Sequence, residues 1–310
     1  MDALSAILEA TKLKGVVCDK LSVSGPWGLR IDRNEATQFW RLIEGSCMVS
    51  LYDGPSVSME AGDIVMVPHG AAHWIGDHES SPRATPVELV ASNLSGQPLF
   101  SGPGKRALLV GGHFTFDRHQ SHPFLKDLPP IIRITQFGTQ HRQLLEHTGA
   151  LMVSELGVEN PGSNMMRRGL AEILFVTVIR AYLEQALPES GFLAALNDTQ
   201  ISNALKLMHE LPEKDWTLDA LAKSVAMSRS VFAGRFKKLV GETPLTYLTN
   251  WRINKAREIL KTEKVSIDEV ASRVGYQSEP AFNRIFKAKT GKTPAVYRRN
   301  KAAEIVAEHN

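Results

Sequence analysis

Two textures of apolar and polar positions divide this 310-residue chain. Over roughly the first 130 residues, short apolar runs alternate with polar positions and break at Gly, Pro, Asn or Asp, as in "CMVSLYDG", "DIVMVPHG" and "VELVAS". Period-two alternation with such punctuation predicts short strands in a small barrel or jelly roll. Further along, the spacing changes to threes and fours. Leu170, Ile173, Leu174, Val178, Ala181 and Tyr182 predict a long helix across 160–185. Such a helix packs on the barrel or pairs with its counterpart in a homodimer, and the pattern supports both. "LPESGFLAALND" (187–198) predicts a hinge.

Beyond residue 200 the helical pattern occurs twice. "LDALAKSVAMS" (218–228) aligns with "IDEVASRVGYQ" (267–277), and "VFAGRFKKLVGETP" (231–244) with "AFNRIFKAKTGKTP" (281–294). Phe232, Phe236, Gly241, Pro244 and Tyr247 thereby meet Phe282, Phe286, Gly291, Pro294 and Tyr297. Two copies are too few for a solenoid, so a duplicated module is predicted. Within the second copy, Ile267, Val270, Ala271 and Val274 form one apolar stripe, and Gly275 tolerates the positive φ of a helix end. Ser278 then caps a helix with Phe282, Ile285 and Phe286 inward and Glu279, Asn283, Arg284 and Lys287 outward. In the first copy Leu218, Leu221, Ala222 and Val225 lead to a turn at Ala226, and Ser228 caps a helix anchored by Val231, Phe232 and Phe236. Between the copies, residues 244–262 predict a connecting helix opened by Pro244.

Paired short helices whose second member carries basic and amide groups describe a helix-turn-helix, which places that second helix in a major groove. Charge supports this reading. Residues 196–310 hold 20 Lys+Arg against 13 Asp+Glu, whereas residues 1–195 hold 16 against 20, so only the C-terminal part suits a polyanion. Arg and Asn have donors for base edges, and Lys237, Lys238, Lys287 and Lys289 suit phosphates. The N-terminus has no export signal, and the longest apolar run, "ILFVTVI", is far short of a membrane span, which predicts a cytoplasmic chain without membrane partners. The two cysteines, Cys18 and Cys47, lack the spacing of a zinc site and are candidates for small buried residues or for redox sensing.

Residues 200–300 resemble the DNA-binding domain of the AraC/XylS regulators, most closely in "SIDEVASRVGYQSEPAFNRIFKAKTGKTPAVYRR". The resemblance implies two groove-reading units on a connecting helix, with double-stranded promoter DNA and RNA polymerase as partners. Base-contact positions of that family fall on Ser230, Ala233 and Gly234, and on Gln277, Glu279, Asn283 and Arg284. Ala233 and Gly234 have no hydrogen-bonding side chain, so the first unit is expected to read through Arg229, Ser230 or a thymine methyl. The expected DNA-binding set is Arg229, Ser230, Arg235, Lys237, Lys238, Gln277, Ser278, Glu279, Asn283, Arg284 and Lys287.

"GDIVMVPHGAAH" (62–73) is similar to the second cupin motif through Gly62, Pro68, Gly70 and His73, and the N-terminal part as a whole resembles the cupin domains fused to AraC-like regulators. That implies a sensor whose cavity takes a small-molecule effector, with Trp27, Trp40, Met48 and His73 as candidate lining. In a metal cupin the remaining ligand positions would be two histidines and a carboxylate. Here they are Asp32, Asn34 and Gln38, so no cofactor is expected, although His73 and His113 leave a metal site as an alternative and His69, His78, His119 and His122 could add to it.

The expected class is therefore an α+β multidomain chain, with a cupin-like sensor barrel (1–140), a helical linker and candidate dimerisation helix (141–198), a double helix-turn-helix domain (199–300) and a tail (301–310). Its expected function is sequence-specific transcription regulation under a small-molecule or redox signal. No catalytic constellation is visible. The competing reading is a metal-dependent cupin enzyme with an accessory DNA-binding domain.

Overall fold

The structure is a computed structural model and describes residues 2–96, 99–117, 122–135, 140–156, 160–186 and 188–299, without the side chains of 17–19, 93 and 94. The elements, in chain order, begin with α1 (Ala3–Ala10), β1 (Lys14–Ser24), β2 (Gly28–Ile31), β3 (Thr37–Glu44), β4 (Ser46–Leu51), β5 (Ser56–Glu60), β6 (Ile64–Val67) and β7 (His73–Gly76). There follow α2 (Pro86–Leu94), β8 (Arg106–Thr115), α3 (Pro123–Lys126), β9 (Ile132–Ile134), α4 (Arg142–Glu155) and α5 (Ser163–Ala186). Helices complete the chain: α6 (Gly191–Asn197), α7 (Thr199–Glu210), α8 (Leu218–Ser224), α9 (Arg229–Val240), α10 (Pro244–Thr262), α11 (Ile267–Arg273) and α12 (Glu279–Thr290). They divide into two compact units. One gathers 2–11, 122–124 and 189–299, and the other holds the strands with α2, α4 and α5.

The strand-rich unit is two facing sheets, ordered β1-β8-β3-β6-β9 and β2-β7-β4-β5, rather than one closed ladder. Alternation explains the core. Leu21, Leu42 and Leu109 of the first sheet meet Leu29, Val49 and Ile75 of the second, as the period of two requires. The other face of the first sheet carries Phe39 and Phe114, and Phe114 packs edge-on to Phe175 of α5 at 5.0 Å. That face is why α5 is apolar along one side, and it settles the packing of the helix on the sheet. β1 and α5 approach closely at Gly15, where a Cβ would stand 2.4 Å from Ala171. "VELVAS" is not a strand. It belongs to α2, opened by a reciprocal capping box in which Thr85 N–H donates to Glu88 Oε2 (2.7 Å) and Glu88 N–H donates to Thr85 Oγ1 (3.2 Å).

In the helical unit both copies form two helices around a tight turn. Thr217 and Ser266 accept from the backbone N–H three residues on and start α8 and α11. The turns that follow use positive φ, +54° at Ala226 and +88° at Gly275. Ser228 and Ser278 stand at the N-cap positions of α9 and α12, but neither side chain caps its helix. Gly241 and Gly291 end those helices in left-handed conformation. Ile253, Ala256 and Leu260 of α10 pack on Val270, Phe282 and Phe286 of the second copy. The stretch read as a hinge contains α6, which packs against α9. α1 lies on α7 in the same unit.

Tyr247 of α10 anchors a polar line inside this unit. The Phe124 N–H donates to His122 Nδ1 (3.1 Å), which leaves the His122 proton on Nε2 to donate to the Tyr247 hydroxyl (3.0 Å). Tyr247 then donates to His209 Nε2 (2.7 Å), whose ring stacks on Trp251 at 3.8 Å. Burial pushes the His122 pKa down to about 3 and that of His209 well below its ordinary value.

Candidate DNA interface and sensor cavity

The short turns leave the outer faces of α9 and α12 exposed. On α12, Arg284 and Lys287 are exposed and make no ion pair or hydrogen bond among the described residues, so their charges are available to a polyanion. Asn283 donates its amide to Glu279 (3.2 Å), which holds both side chains on one face. Gln277 and Ser278 are exposed at the head of the helix, where backbone N–H groups and the positive end of the helix dipole also face outward.

The α9 face differs. Lys237 and Lys238 are exposed and make no ion pair or hydrogen bond among the described residues, and Ser230 is exposed. Arg229 pairs with Asp219 at 3.2 Å on the surface, a contact worth little and readily exchanged for a phosphate. Arg235 instead pairs with the nearly buried Asp198 and donates to Gln200, which ties it to the start of α7. Val231, which the helical stripe placed inward, is 57% exposed. It shares a face with Gly234 and Lys238 at helical spacing. An exposed β-branched methyl pair on such a helix is suited to a thymine methyl. The signal was in the repeat, since the second copy has the small Ala281 at the matching position.

In the strand-rich unit a cavity of about 730 Å³ opens between β1, β2, β3, β8 and α2. Trp40 lines it beside Gly111, where a Cβ would stand 2.5 Å from the indole, so that glycine makes the space for the ring. His73 lies behind Trp40, fully buried. Its Nδ1 faces the Ala71 carbonyl (2.8 Å) and its Nε2 lone pair accepts the Trp40 indole N–H (3.0 Å). Burial lowers the His73 pKa, so the ring is neutral and hydrogen-bonded at both nitrogens. Trp27 is fully buried between the sheets, and Met48 lies on β4. Neither is among the described cavity-lining residues.

Asn34 and Gln38, two of the vacated metal positions, line the cavity together with Asp32. With an amide pair, a carboxylate paired with Arg30 and a histidine whose lone pair is engaged, these residues do not fit a divalent metal. His69 faces the Leu128 carbonyl (2.7 Å), His78 faces Ser80 (2.8 Å), and burial lowers the His113 pKa. His122 belongs to the helical unit, and His119 lies outside the described residues. No group of three metal-binding side chains occurs among the described residues. The Cys47 thiol is buried and pushed up to about 12 by that burial and by Asp63, so it is a poor thiolate source. The Cys18 side chain lies outside the described residues, as does the 301–310 tail.

The cavity residues that sequence reading missed are chiefly Leu29, Ile31 and the α2 group Val87, Leu89 and Val90. The alternation of "GLRI" and the Thr-x-x-Glu capping signal were present for both. What was absent was any local sign that strand and helix face one another.

Comparison with known proteins agrees with both halves. A cupin family model matches residues 2–184 and a helix-turn-helix domain model matches residues 221–300. The HTH-type transcriptional regulator AlkR of Acinetobacter baylyi is 32% identical over 310 residues, spanning 96% of this chain and 99% of its own. A putative AraC-like transcription regulator of Streptomyces lividans is 31% identical, spanning 97% and 99%. The solved DNA-binding domain of AdpA in complex with a target DNA is 34% identical and covers 34% of this chain and 96% of that one, with a TM-score of 0.33. These relatives are named regulators of transcription, in line with a chain that is not an enzyme. No helix among the described residues is long and apolar enough to cross a membrane. An apolar-lined cupin unit and a doubled helix-turn-helix with exposed cations on its outer faces thus lie on one chain, which belongs to the AraC-like, DNA-binding transcriptional regulators with an N-terminal cupin domain.

Proposed function

We propose that this regulator reads its operator mainly through α12 and changes its promoter activity when a small molecule fills the cupin cavity. Arg284 and Asn283 supply base-edge hydrogen bonds, with Gln277 and Glu279 beside them. Lys237, Lys238 and Lys287 neutralise phosphates, and Arg229 joins them by leaving Asp219. Val231 contributes a methyl contact from α9. The observation that carries the signalling part is the cavity itself, together with the course of its walls. β1 and β8 both line it, the residues just before β1 form α1, and the segment after β8 contains His122; both of those pieces belong to the helical unit. A ligand shifts such an equilibrium only by binding one arrangement more tightly than the other. A twofold assembly and recruitment of RNA polymerase complete the proposal.

Binding to a promoter fragment should weaken with salt by about 0.9 in log–log slope for each phosphate neutralised. Arg284→Ala should lose roughly 1–3 kcal/mol at one base position and leave other positions unchanged; an equal loss on every DNA sequence contradicts base reading. For the signal, Ile31→Trp fills the cavity, and a reporter on a promoter found by occupancy mapping should become insensitive to growth condition. A response range equal to that of the parent protein counts against cupin control.

A further inference from the structure

The lining of the cavity specifies a ligand class, and this inference rests on the effector reading above. We propose that the cavity binds an uncharged, mainly apolar molecule carrying a single hydroxyl donor, an alcohol or phenol with a hydrocarbon body. One wall is Leu21, Leu29, Ile31 and the Trp40 ring; the other is the α2 side, with Leu89. Val87 and Val90 of α2 also line the space, yet they are 78% and 47% exposed. Apolar side chains left in water around a concave site are covered favourably by an apolar body.

Charge argues in the same direction. Lys20 and Arg30 edge the cavity, but each is exposed and alternates with a buried neighbour, Leu21 for the first and Leu29 and Ile31 for the second, so their side chains leave by the opposite strand face. Arg30 pairs with Asp32 at 3.4 Å. The charged residues of the lining, Lys20, Arg30 and Asp32, all stand at exposed positions, Arg30 and Asp32 as a pair, so a carboxylate or ammonium that enters beside Leu21, Leu29 and Ile31 loses water against apolar side chains. A sugar meets the same objection, since most of its hydroxyls would face Leu, Ile and Val.

Among the polar residues of the lining, Gln38 supplies an acceptor beside the apolar wall. Gln38 Nε2 donates to Asn34 Oδ1 (3.1 Å), which also accepts the Ala36 N–H (2.9 Å). Gln38 Oε1 makes no hydrogen bond among the described residues and lies on the same strand face as Trp40, two residues away. The Trp40 indole N–H is already taken by His73. An uncommitted neutral acceptor beside an apolar wall matches an O–H donor. The volume, about 730 Å³, is within the range of pockets that enclose drug-sized molecules.

Calorimetric titration of the full chain without DNA separates this class from regulation, using octan-1-ol, octanoate, octylammonium and glucose as probes. Octan-1-ol should bind saturably and at least about tenfold more tightly than either ion, with no heat from glucose. Gln38→Leu should weaken octan-1-ol by about tenfold, the worth of one hydrogen bond. Val87→Asp, at an exposed position where folding is not at stake, should weaken it further. Preference for an ion or the sugar, no binding of octan-1-ol, or equal binding by Val87→Asp overturns the ligand class. A parallel promoter titration with saturating octan-1-ol tests the other reading: bound alcohol with unchanged DNA affinity and unchanged transcription in vitro rejects the effector role and leaves the ligand class standing.

Discussion

At the turn of the second helix-turn-helix copy stands Gly275 with φ +88°, and at the matching turn of the first stands Ala226 with φ +54°. Left-handed backbone suits glycine and strains alanine. Two positions with one geometric duty have thus been filled unequally, and the surroundings show why both persist. A Cβ at Gly275 would stand 2.7 Å from the Pro212 carbonyl oxygen and 2.8 Å from Glu213 Cα, so the second copy has no room for the residue that the first one carries. The matched tyrosines diverge as well. The Tyr247 hydroxyl lies between His122 and His209, whereas the Tyr297 hydroxyl is buried with no hydrogen-bond partner among the described residues. On the outer helix faces proposed to read DNA, Ala233 and Gly234 stand where the second copy has Asn283 and Arg284. Space is not the reason, because among the described residues nothing lies within 4 Å of a Cβ built at Gly234. A duplicated frame keeps its core and turns while each copy acquires its own partners.

The largest test of this contrast is Gly275→Ala, which combines left-handed strain with a backbone clash and should destabilise the helical unit by about 3 kcal/mol in denaturant melts. Acid should separate the copies next. The folded protein refuses protons on His122 that the unfolded chain accepts with a pKa of about 6.5, so the full stability is present above that value and is lost as pH falls toward about 3. At pH 5 the loss from His122 is about 2 kcal/mol, relative to neutral pH. His209, facing His122, Lys255 and the Tyr247 hydroxyl, adds to it in the same direction. A melting profile independent of pH between 7.5 and 5 would contradict the neutral His–Tyr–His line. Tyr247→Phe should cost about 1–2 kcal/mol by leaving two buried rings short of a partner, whereas Tyr297→Phe should be near neutral or slightly stabilising. Val231→Ala should weaken operator binding by less than about 1 kcal/mol, and only where a thymine occupies the matching site. Smallest of all, Ala226→Gly should raise stability by about 0.5 kcal/mol, relief of strain being partly offset by backbone entropy. An Ala226→Gly variant less stable than its parent means that the first turn is unstrained.

Much of this was legible in the chain. The repeat, the split of charge, the opening of the connecting helix at Pro244 and the positive φ of Gly275 depend on contacts within a few residues and were read directly, whereas the serines read as caps, Ser228 and Ser278, do not cap and the capping residues Thr217, Thr243 and Ser266 were passed over. Helical spacing foresaw the inward faces of Phe232, Phe236, Phe282 and Phe286 for the same reason. It misplaced Val231 because a stripe only ranks neighbours on one helix, and says nothing about whether another element arrives to cover them. In the strand-rich unit, alternation located the strands but read α2 as one of them, since a short apolar run suits either element and the capping box was passed over.

The sequence by itself determined a strand-rich half and a doubled two-helix module, because periodicity and residue chemistry are local properties, while the likeness to the second cupin motif named the first half and left Asp32, Asn34 and Gln38 at the other metal positions. Only the tertiary structure decided that Trp40 rather than Trp27 lines the cavity, that Gln38 has an uncommitted acceptor, that Arg235 is held by Asp198 and that His122 meets Tyr247 across 125 residues of chain. Those outcomes depend on which faces meet, and burial, ion pairing and the direction of a proton are settled by neighbours in space rather than along the chain.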